Sequence, residues 1–483
     1  MDYQHLFIGG DWREPSSDKR LLIESPVNRE IVGSCPEAIE SDVEVAVSAA
    51  KAAMKNPDWC DASAQERADY IDALSAAMKA RAADLASCAV NEIGAPYSFC
   101  AGQVAMTRMT LKFYAQLSRS FAFEERRTGY FGEVIVRKEP VGVVAAIVPF
   151  NGPLFAAALK IGPALASGCA VVLKVPVEAP LFSYVLAQCI QEAELPAGVI
   201  NILAADREAS ECLASHSDVR MVSLTGSVVA GKRVAEICGS QVKRAALELG
   251  GKSAAIVCED ADLSAVVPEL AKASVINSGQ ACAAQTRILL PRSRYEDYVA
   301  ALADAFGTMH VGSPTDPATD LGPMIHERHF KRVKDCIKAG IDEGARLITG
   351  GGTPEHLEPG YFIEPTLLAD VTNDMRVARE EIFGPVACAI AYDDIEDAIR
   401  IANDSDLGLS GSVWTADIDY GVAIGRRIET GNFTINGFTM DVAAPFGGYK
   451  ASGLGRELGE EGLLDYLEFR SINLPATYAH GFQ

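Results

Sequence analysis

The segment Gly279–Gln285 reads Gly-Gln-Ala-Cys-Ala-Ala-Gln and places Cys282 among small side chains. Small neighbours leave room for a substrate to approach the sulfur, and a cysteine thiolate is a strong nucleophile. The chain has twelve cysteines, and most of them are expected to be inert core residues. Cys282 alone is therefore a modest candidate for covalent catalysis and needs support from other segments.

A carboxylate stands in an apolar run directly before a double glycine, in Leu247–Lys252 (Leu-Glu-Leu-Gly-Gly-Lys). An apolar setting raises the pKa of a carboxyl group, which suits Glu248 to act as a general base near neutral pH. A salt bridge between Glu248 and Lys252 at a helix end is an equally good interpretation of this segment taken alone.

Two turns follow predicted strands. Asn151, in Pro149–Pro153, lies where α/β sheets bind ligands, and its amide could donate to an oxyanion. A plain turn is the simpler interpretation of Asn-Gly between two prolines. In Leu224–Gly231 a strand, a Gly-Ser pair and a helix start follow one another, an arrangement that exposes backbone N–H groups to a phosphate. This segment matches neither G-x-G-x-x-G nor a P-loop.

Other catalytic patterns are missing from the sequence. It contains no H-E-x-x-H, no G-x-S-x-G and no C-x-x-C, so no metal site and no serine hydrolase elbow is predicted. His326 and His329 fall in a charged stretch and are expected to be solvated.

The elements that must position these residues form two α/β lobes, with the chain crossing between them near Glu248. Near-continuous apolar runs are typical of strands covered on both faces. Strands are predicted at Val141–Val148, Ala170–Val175, Val199–Leu203, Ala254–Val257 and Arg287–Leu290, with a helix over Asp260–Ile276. Helical spacing also covers 40–90, where Asp42 and the Ser63 region are predicted helix starts.

Length and charge limit the possible classes of protein. A chain of 483 residues exceeds one ordinary core, which favours two or three domains. Its net charge of −22 disfavours nucleic acid and anionic membrane surfaces as partners. The longest uncharged run, Val141–Leu159, is broken by Pro149, Gly152 and Pro153, which argues against a membrane span. With no signal peptide pattern and scattered cysteines, we expect a cytoplasmic protein with reduced thiols.

Taken in order, these segments resemble the motifs of the NAD(P)-dependent aldehyde dehydrogenase superfamily. The resemblance runs from Phe7–Gly10 to the region of Leu467, which is nearly the whole chain. The matching segments are Pro149–Asn151, Lys174, Thr225–Gly231, Leu247–Lys252, Gly279–Cys282, Glu380–Pro385 and Pro445–Gly453. Their shared order is too specific for coincidence.

The resemblance implies a reaction for the three candidate catalytic residues. Cys282 matches the nucleophile that attacks an aldehyde, and the Asn151 amide with the Cys282 backbone N–H would hold the oxyanion. Hydride would pass to the nicotinamide and leave a thioester. Glu248 matches the base that activates water to hydrolyse it, and Glu457 matches a second acid near the water path.

The resemblance also implies a site for NAD, with NADP possible. Gly226 and Ser227 match pyrophosphate contacts, Lys174 an adenosine-ribose contact, and Glu381 with Phe383 the grip on the nicotinamide ribose. The further residues assigned to cofactor binding are Ile147, Pro149, Phe150, Gly231 and Leu249.

The implied fold is α/β, with a Rossmann-like NAD(P)-binding domain (1–118 and 141–247) and an α/β catalytic domain (248–452). A small β segment (119–140 and 453–483) would bridge subunits, with residues near 119–140 pairing with the C-terminal strand. A homodimer or homotetramer is the implied assembly, and a small-molecule aldehyde the implied substrate.

This sequence departs from the usual pattern beside Lys174. With Pro180 fixing the register, Val177 occupies the place of the glutamate that binds the adenosine ribose and repels NADP. Glu178 comes one residue late and is expected to point elsewhere. The hypothesis is that NADP is tolerated, with NAD slightly favoured.

Small residues mark the predicted substrate side. Gly152 and Leu159 stand where relatives acting on small aldehydes often carry large aromatics, and Ala281 and Ala283 flank the nucleophile. An apolar, aromatic, terpenoid or medium-chain aldehyde is the predicted substrate. The alternatives are a CoA-acylating or phosphorylating dehydrogenase, disfavoured because CoA-acylating relatives typically lack a glutamate at the Glu248 position, and a non-catalytic structural protein on the same scaffold.

Overall fold

A computed structural model describes residues 1–475 of the chain. Its strands are β1 (Leu6–Ile8), β2 (Asp11–Arg13), β3 (Arg20–Glu24), β4 (Ile31–Pro36), β5 (Glu124–Gly129), β6 (Gly132–Pro140), β7 (Val143–Ile147), β8 (Ala170–Val175), β9 (Ile200–Ala204), β10 (Val219–Thr225), β11 (Arg244–Glu248), β12 (Ala254–Val257), β13 (Arg287–Pro291), β14 (Arg346–Thr349), β15 (Thr366–Ala369), β16 (Val386–Tyr392), β17 (Leu407–Gly408), β18 (Gly411–Trp414), β19 (Thr434–Ile435), β20 (Tyr449–Lys450), β21 (Gly453–Leu454) and β22 (Leu467–Asn473).

The helices alternate with these strands through most of the chain. They are α1 (Glu40–Ala53), α2 (Pro57–Cys60), α3 (Ala64–Ala80), α4 (Ala82–Ile93), α5 (Tyr97–Ser120), α6 (Pro153–Ser167), α7 (Phe182–Glu192), α8 (Arg207–Ser215), α9 (Val228–Gln241), α10 (Leu263–Val275), α11 (Tyr295–Gly307), α12 (Glu327–Asp342), α13 (Arg376–Arg379), α14 (Ile395–Asn403), α15 (Ile418–Gly425) and α16 (Gly459–Leu464).

The first sheet has the strand order β2-β1-β9-β8-β7-β10-β11-β21. Its five central strands, β9 to β11 in that order, run parallel. Strands β7 and β9 are buried along their whole length and β8 at all but one residue, as continuous apolar sequence predicts for strands covered on both faces. The three strands predicted before residue 204 are confirmed.

The second sheet has the order β14-β15-β16-β13-β12-β18-β19 and is parallel except for β14. One core lies on each of its faces, with α10 and α11 packed on one and α12 and α14 on the other. The predicted strand Ala254–Val257 is confirmed, and the strand from Arg287 extends one residue further, to Pro291. The predicted helix over Asp260–Ile276 is shorter because the Asp262 side chain caps it at Ser264.

A small third sheet has the order β22-β6-β5, with β6 antiparallel to both neighbours. Strand β21 pairs instead with β11, so residues 453–454 belong to the first sheet although they begin the predicted bridging segment. Residues 476–483, the end of that segment, lie outside the described residues.

Two helix starts were predicted in the N-terminal region. Ser63 caps α3 as predicted, because its hydroxyl accepts from Glu66 N–H and the Glu66 carboxylate accepts from Ser63 N–H. The start at Asp42 is wrong: α1 begins at Glu40, and the Asp42 carboxylate accepts from the Ile39 N–H at 2.9 Å. Asp42 therefore stabilises the helix start from inside the first turn.

No helix among residues 1–475 combines the length and apolarity needed to cross a membrane. All twelve cysteines lie in this range and are free thiols. Within the same range, no group of His, Cys, Asp and Glu side chains is arranged to hold a metal ion.

Candidate active site

A cavity of about 410 Å³ lies where the C-terminal ends of β10 and β11 meet α12 and the loops that lead into β13 and β16. Cys282, Glu248 and Asn151 all line it. So do six of the residues predicted to bind a cofactor: Pro149, Phe150, Gly226, Ser227, Glu381 and Phe383. Chain segments more than 200 residues apart thus converge on one space.

The other four predicted cofactor residues do not line this cavity. Ile147 and Lys174 pair across β7 and β8, at the ends of the strands that lead to it. Gly231 lies in the first turn of α9, where an added Cβ would collide with the Leu249 side chain. Gly231 therefore allows α9 to pack closely against Leu249, next to the cavity.

The nucleophile candidate follows a strained turn. Asn277, Ser278 and Gly279 have φ values of 51°, 56° and 73°, three consecutive left-handed residues. A Cβ at Gly279 would collide with the Gly384 carbonyl, so this position requires glycine. Such strain is common where a catalytic loop needs one fixed conformation.

Asn151 is tied to this turn by two hydrogen bonds. Its amide Nδ2 donates to the Gln280 carbonyl at 2.9 Å, and the backbone carbonyl of Asn151 accepts from Asn277 Nδ2 at 2.9 Å. The amide that is a candidate oxyanion donor and the loop that carries Cys282 are therefore held as one unit.

The Cys282 thiol and the Glu248 carboxylate are close enough for each to shift the pKa of the other. Burial and the neighbouring carboxylates raise the pKa of the thiol well above its ordinary value. Burial, followed by the charge of Glu457, raises the pKa of Glu248 to about 8. The resting thiol is thus protonated, with a carboxyl group of raised pKa beside it.

The alternative interpretation of Glu248, an ion pair with Lys252, is not observed. Lys252 is buried and its Nζ has no hydrogen-bond partner among residues 1–475, and Glu248 Oε1 also has none. The carboxylate of Glu248 is therefore left available to the cavity.

A buried ion pair lies behind Glu248. Lys160 Nζ, on the fully buried helix α6, is 2.6 Å from Glu457 Oε1 and 2.8 Å from Thr225 Oγ1. Sequence reasoning missed Lys160, although it is the single charged residue in the apolar stretch 149–173. A lone charge in such a stretch requires a buried partner, which is the signal that could have identified it.

Helix α12 forms the opposite wall and corrects one expectation. His329 is only 8% exposed, so the prediction that it is solvated is wrong. His326 is half-buried and lines the cavity together with His329. Helix α12 is amphipathic, and His329 falls on the buried face of a sequence that is charged on the other face.

Two residues of α12 hold the loop that contains Glu381 and Phe383. His329 Nε2 donates to the Phe383 carbonyl at 2.6 Å, and Arg332 Nη2 donates to the Glu381 carbonyl at 2.7 Å. Phe383 is left-handed, with φ of 62°. The Glu381 carboxylate accepts from Gly251 N–H at 3.1 Å, and burial raises its pKa to about 7.

The surroundings of Cys282 away from this cavity are apolar. Its neighbours there form a cluster made of Phe155, Leu159, Leu409, Phe446 and Leu458, with Met106, Ala283, Met440 and Val442 packed against them. A substrate that approaches the sulfur from this side meets hydrocarbon and two aromatic rings.

The stretch after Lys174 bears on the ribose of a dinucleotide. Val177 is half-buried and brings no charge. Burial lowers the pKa of Lys174 and of His326, and the nearby Glu178 carboxylate opposes both changes. That Glu178 points away from the ribose stays a prediction, and its charge acts on both Lys174 and His326.

Comparison with known proteins agrees with this geometry. The family model described as "Aldehyde dehydrogenase family" matches residues 12–472. Geranial dehydrogenase of Castellaniella defragrans is 44% identical over 477 residues, which are 98% of this chain and 99% of that protein.

Two solved structures extend the likeness to three dimensions. An aldehyde dehydrogenase from Mycobacterium tuberculosis complexed with NAD+ is 44% identical, with a TM-score of 0.97 over 99% of this chain and 100% of that one. An aldehyde dehydrogenase C variant from Pseudomonas syringae complexed with NAD+ and octanal is 38% identical, with a TM-score of 0.95 over 97% and 96% of the two chains.

Proposed function

The chain belongs to the aldehyde dehydrogenase family, and from this premise we propose that it oxidises an apolar aldehyde to the carboxylic acid with NAD+ and water. The observation that carries the proposal is the convergence of Cys282, Glu248 and Asn151 on one cavity, next to an apolar cluster on the other side of the sulfur.

The residues around the cavity fit a dinucleotide. Gly226 and Ser227 line the cavity directly before α9, where the start of a helix favours an anion, although the Gly226 N–H itself donates to the Glu248 carbonyl. The rings of Phe150 and Phe383 meet edge to face, with centroids 5.8 Å apart. A Cβ at Gly250 would collide with the Glu381 carboxylate, so the glycine makes room for that group. When bound, the nicotinamide accepts hydride from the substrate carbon.

The protein's own residues can perform the remaining steps. Glu248 takes the proton of the Cys282 thiol, and the sulfur attacks the aldehyde carbon. The Asn151 amide and the Cys282 backbone N–H stabilise the oxyanion. After oxidation the substrate is a thioester on Cys282. Glu248 first releases the thiol proton to the water path and then, as carboxylate again, removes a proton from the water that hydrolyses the thioester, so that Cys282 leaves as the thiolate.

Glu457 is proposed as the next proton acceptor along the water path. Glu248 Oε1 and Glu457 Oε2 are both buried and lack a hydrogen-bond partner among the described residues. Buried polar atoms of this kind are satisfied by ordered water, which could connect the two carboxylates. Lys160 fixes Glu457 in place through its other oxygen.

An apolar substrate, of terpenoid, aromatic or medium-chain type, is supported by the cluster around Phe155, Leu159 and Phe446. A geranial dehydrogenase and an octanal complex among the similar proteins support the same class.

Cofactor preference is proposed as NAD with NADP tolerated. Val177 offers no carboxylate to repel the phosphate of NADP, whereas the charge of Glu178 lies near enough to Lys174 to retain some preference for NAD.

The division into a cofactor domain (1–118 and 141–247), a catalytic domain (248–452) and a bridging segment (119–140 and 453–483) is also proposed, with a homodimer or homotetramer as the assembly. Tyr130 and Phe131, at the tip of the β5–β6 hairpin, are fully exposed in the single chain. Exposed aromatic pairs of this kind support association of subunits there.

The test is a panel of aldehydes, including octanal, geranial, acetaldehyde and succinic semialdehyde, with NAD+ and with NADP+. We expect reduced nicotinamide absorbance to grow, with octanal or geranial giving the highest kcat/KM, and free acid to form without CoA or phosphate. Cys282→Ala should abolish the signal, and Glu248→Gln should accumulate acylated Cys282 detectable by mass spectrometry.

Each alternative predicts a different result. A CoA-acylating or phosphorylating enzyme would form no free acid without CoA or phosphate, and a non-catalytic scaffold would show no turnover with any aldehyde. Activity that survives Cys282→Ala would rule out the covalent mechanism.

A further inference from the structure

The first turn of α12 lines the same cavity as Gly226 and Ser227. His326 and Arg328, neither of which was among the predicted site residues, both line it. His326 is the N-cap of α12, and its ring lies 6.4 Å from that of Phe150, measured between centroids. This turn therefore contributes polar groups to the same space as the proposed pyrophosphate contacts.

The tautomer of His326 is fixed by its role as a cap. Its Nδ1 accepts from the His329 backbone N–H at 3.0 Å, so Nδ1 cannot carry a proton. Burial lowers the pKa of His326, which favours the neutral ring. The single ring proton is therefore on Nε2, and among residues 1–475 no acceptor is bonded to it. His326 is a hydrogen-bond donor without a partner at the cavity.

Arg328 is a cation without a partner. Its neighbour Glu327 pairs with Lys331 at 3.0 Å, and within the described range no carboxylate or carbonyl contacts the Arg328 guanidinium. In a chain with net charge −22, an unpaired arginine at a cavity marks a place suited to an anion.

The cavity is lined by charges of both signs. The charges of Glu248 and Glu381 act on Cys282, whereas Arg328 and Arg332 belong to α12. NAD+ also carries both signs, because its nicotinamide is positive and its diphosphate negative.

We propose that Arg328 and His326 bind the diphosphate of the dinucleotide from α12, Arg328 through charge-assisted hydrogen bonds and His326 through Nε2–H. The inference rests on the proposed function, since it requires a dinucleotide in this cavity.

The test is equilibrium binding without aldehyde, measured by calorimetry for NAD+, NADP+ and ADP-ribose. Arg328→Gln should weaken all three by about 10-fold to 100-fold, the range for a hydrogen bond to a charged group. The affinity of the variant should also fall less steeply with salt than that of the wild type. His326→Asn keeps a capping oxygen and should weaken binding by about 2-fold to 10-fold.

Lys331→Gln is the matched control, because it removes one positive charge from α12 at a residue that does not line the cavity. It should change each affinity by less than about two-fold. Unchanged affinity in Arg328→Gln or in His326→Asn would overturn the assignment of that residue. A loss confined to NADP+ would place Arg328 at the ribose phosphate instead and overturn the diphosphate assignment. Absence of dinucleotide binding by the wild type would overturn the proposed function itself.

Discussion

The imidazole Nε2 of His329 lies 2.6 Å from the carbonyl oxygen of Phe383, a residue in the left-handed backbone region. Left-handed geometry is unfavourable for a bulky side chain and persists only when its surroundings impose it. The hydrogen bond from His329 is one such constraint. It makes His329 a positioning residue for Phe383 and, through the same loop, for Glu381.

Two variants at His329 should distinguish the effect of its hydrogen bond from the effect of its aromatic ring. His329→Phe keeps an aromatic side chain but leaves the Phe383 carbonyl without a donor, which should weaken NAD+ binding roughly five-fold and raise its KM more than it lowers kcat. His329→Gln restores a donor and should recover much of the affinity. Equal binding by the wild type and His329→Phe would show that the loop holds its conformation without this bond.

Stability should depend on pH through the same histidine. Burial lowers the pKa of His329 to about 4 from its ordinary 6.5, so the unfolded chain takes up a proton at higher pH than the folded chain. The contribution of His329 to the free energy of unfolding is complete above about pH 6.5. As the pH falls toward 4, up to about 3 kcal/mol of that free energy is lost. Denaturant unfolding of His329→Gln should show a shallower loss over this range. Parallel pH profiles for the two proteins would contradict the assignment.

Hydrolysis of the thioester should require alkaline conditions. The pKa of Glu248 is raised to about 8, so the fraction of carboxylate rises with pH up to and beyond that value. The deacylation rate in single-turnover experiments should increase about ten-fold per unit below pH 8 and level off above it. A rate that is already constant at pH 6 would exclude Glu248 as the base.

Glu457→Gln should shift the rising part of the pH profile of the deacylation rate to lower pH. Its negative charge is the second cause of the raised pKa of Glu248, and without it the Lys160 ammonium would favour ionised Glu248 more strongly. The exposed neighbour Glu460→Gln serves as the control and should leave the profile unchanged. An alkaline shift in Glu457→Gln would reverse the electrostatic argument.

Replacement by alanine should have opposite effects on stability at Gly279 and at Gly307. Gly279→Ala places a side chain at φ of 73° and against the Gly384 carbonyl, so it should cost more than about 1–2 kcal/mol of stability and displace Cys282. Gly307 lies in α11 with open space around its Cβ position, and Gly307→Ala should stabilise by roughly 0.5–1 kcal/mol. Thermal unfolding and alkylation rates of Cys282 measure both effects.

The strands and the residues that line the cavity could be predicted to different degrees. Strands β7, β8, β12 and β13 follow their apolar runs within two residues, since a strand buried on both faces leaves a local signature. Cys282, Glu248 and Asn151 were identified by ordered motifs, and their meeting in one cavity could not be inferred from any one segment.

What escaped sequence reasoning depends on long-range packing. The burial of His329 is created by the face that α12 turns toward Phe383, 54 residues away in sequence. The pairing of Lys160 with Glu457 likewise has no local signal for the partner. A polar residue whose partner is remote in sequence has no local sign of burial, and for this reason His329 on α12 was predicted to be solvated.

The ion pair between Lys160 and Glu457 spans 297 positions of the chain. During synthesis at about 5–20 residues per second, the ammonium of Lys160 waits about 15 to 60 s for its counterion to be made. Helix α6 cannot be fully buried during that interval, because the Lys160 ammonium still has to be hydrated. Maturation of this region therefore has to wait until residue 457 has been synthesised.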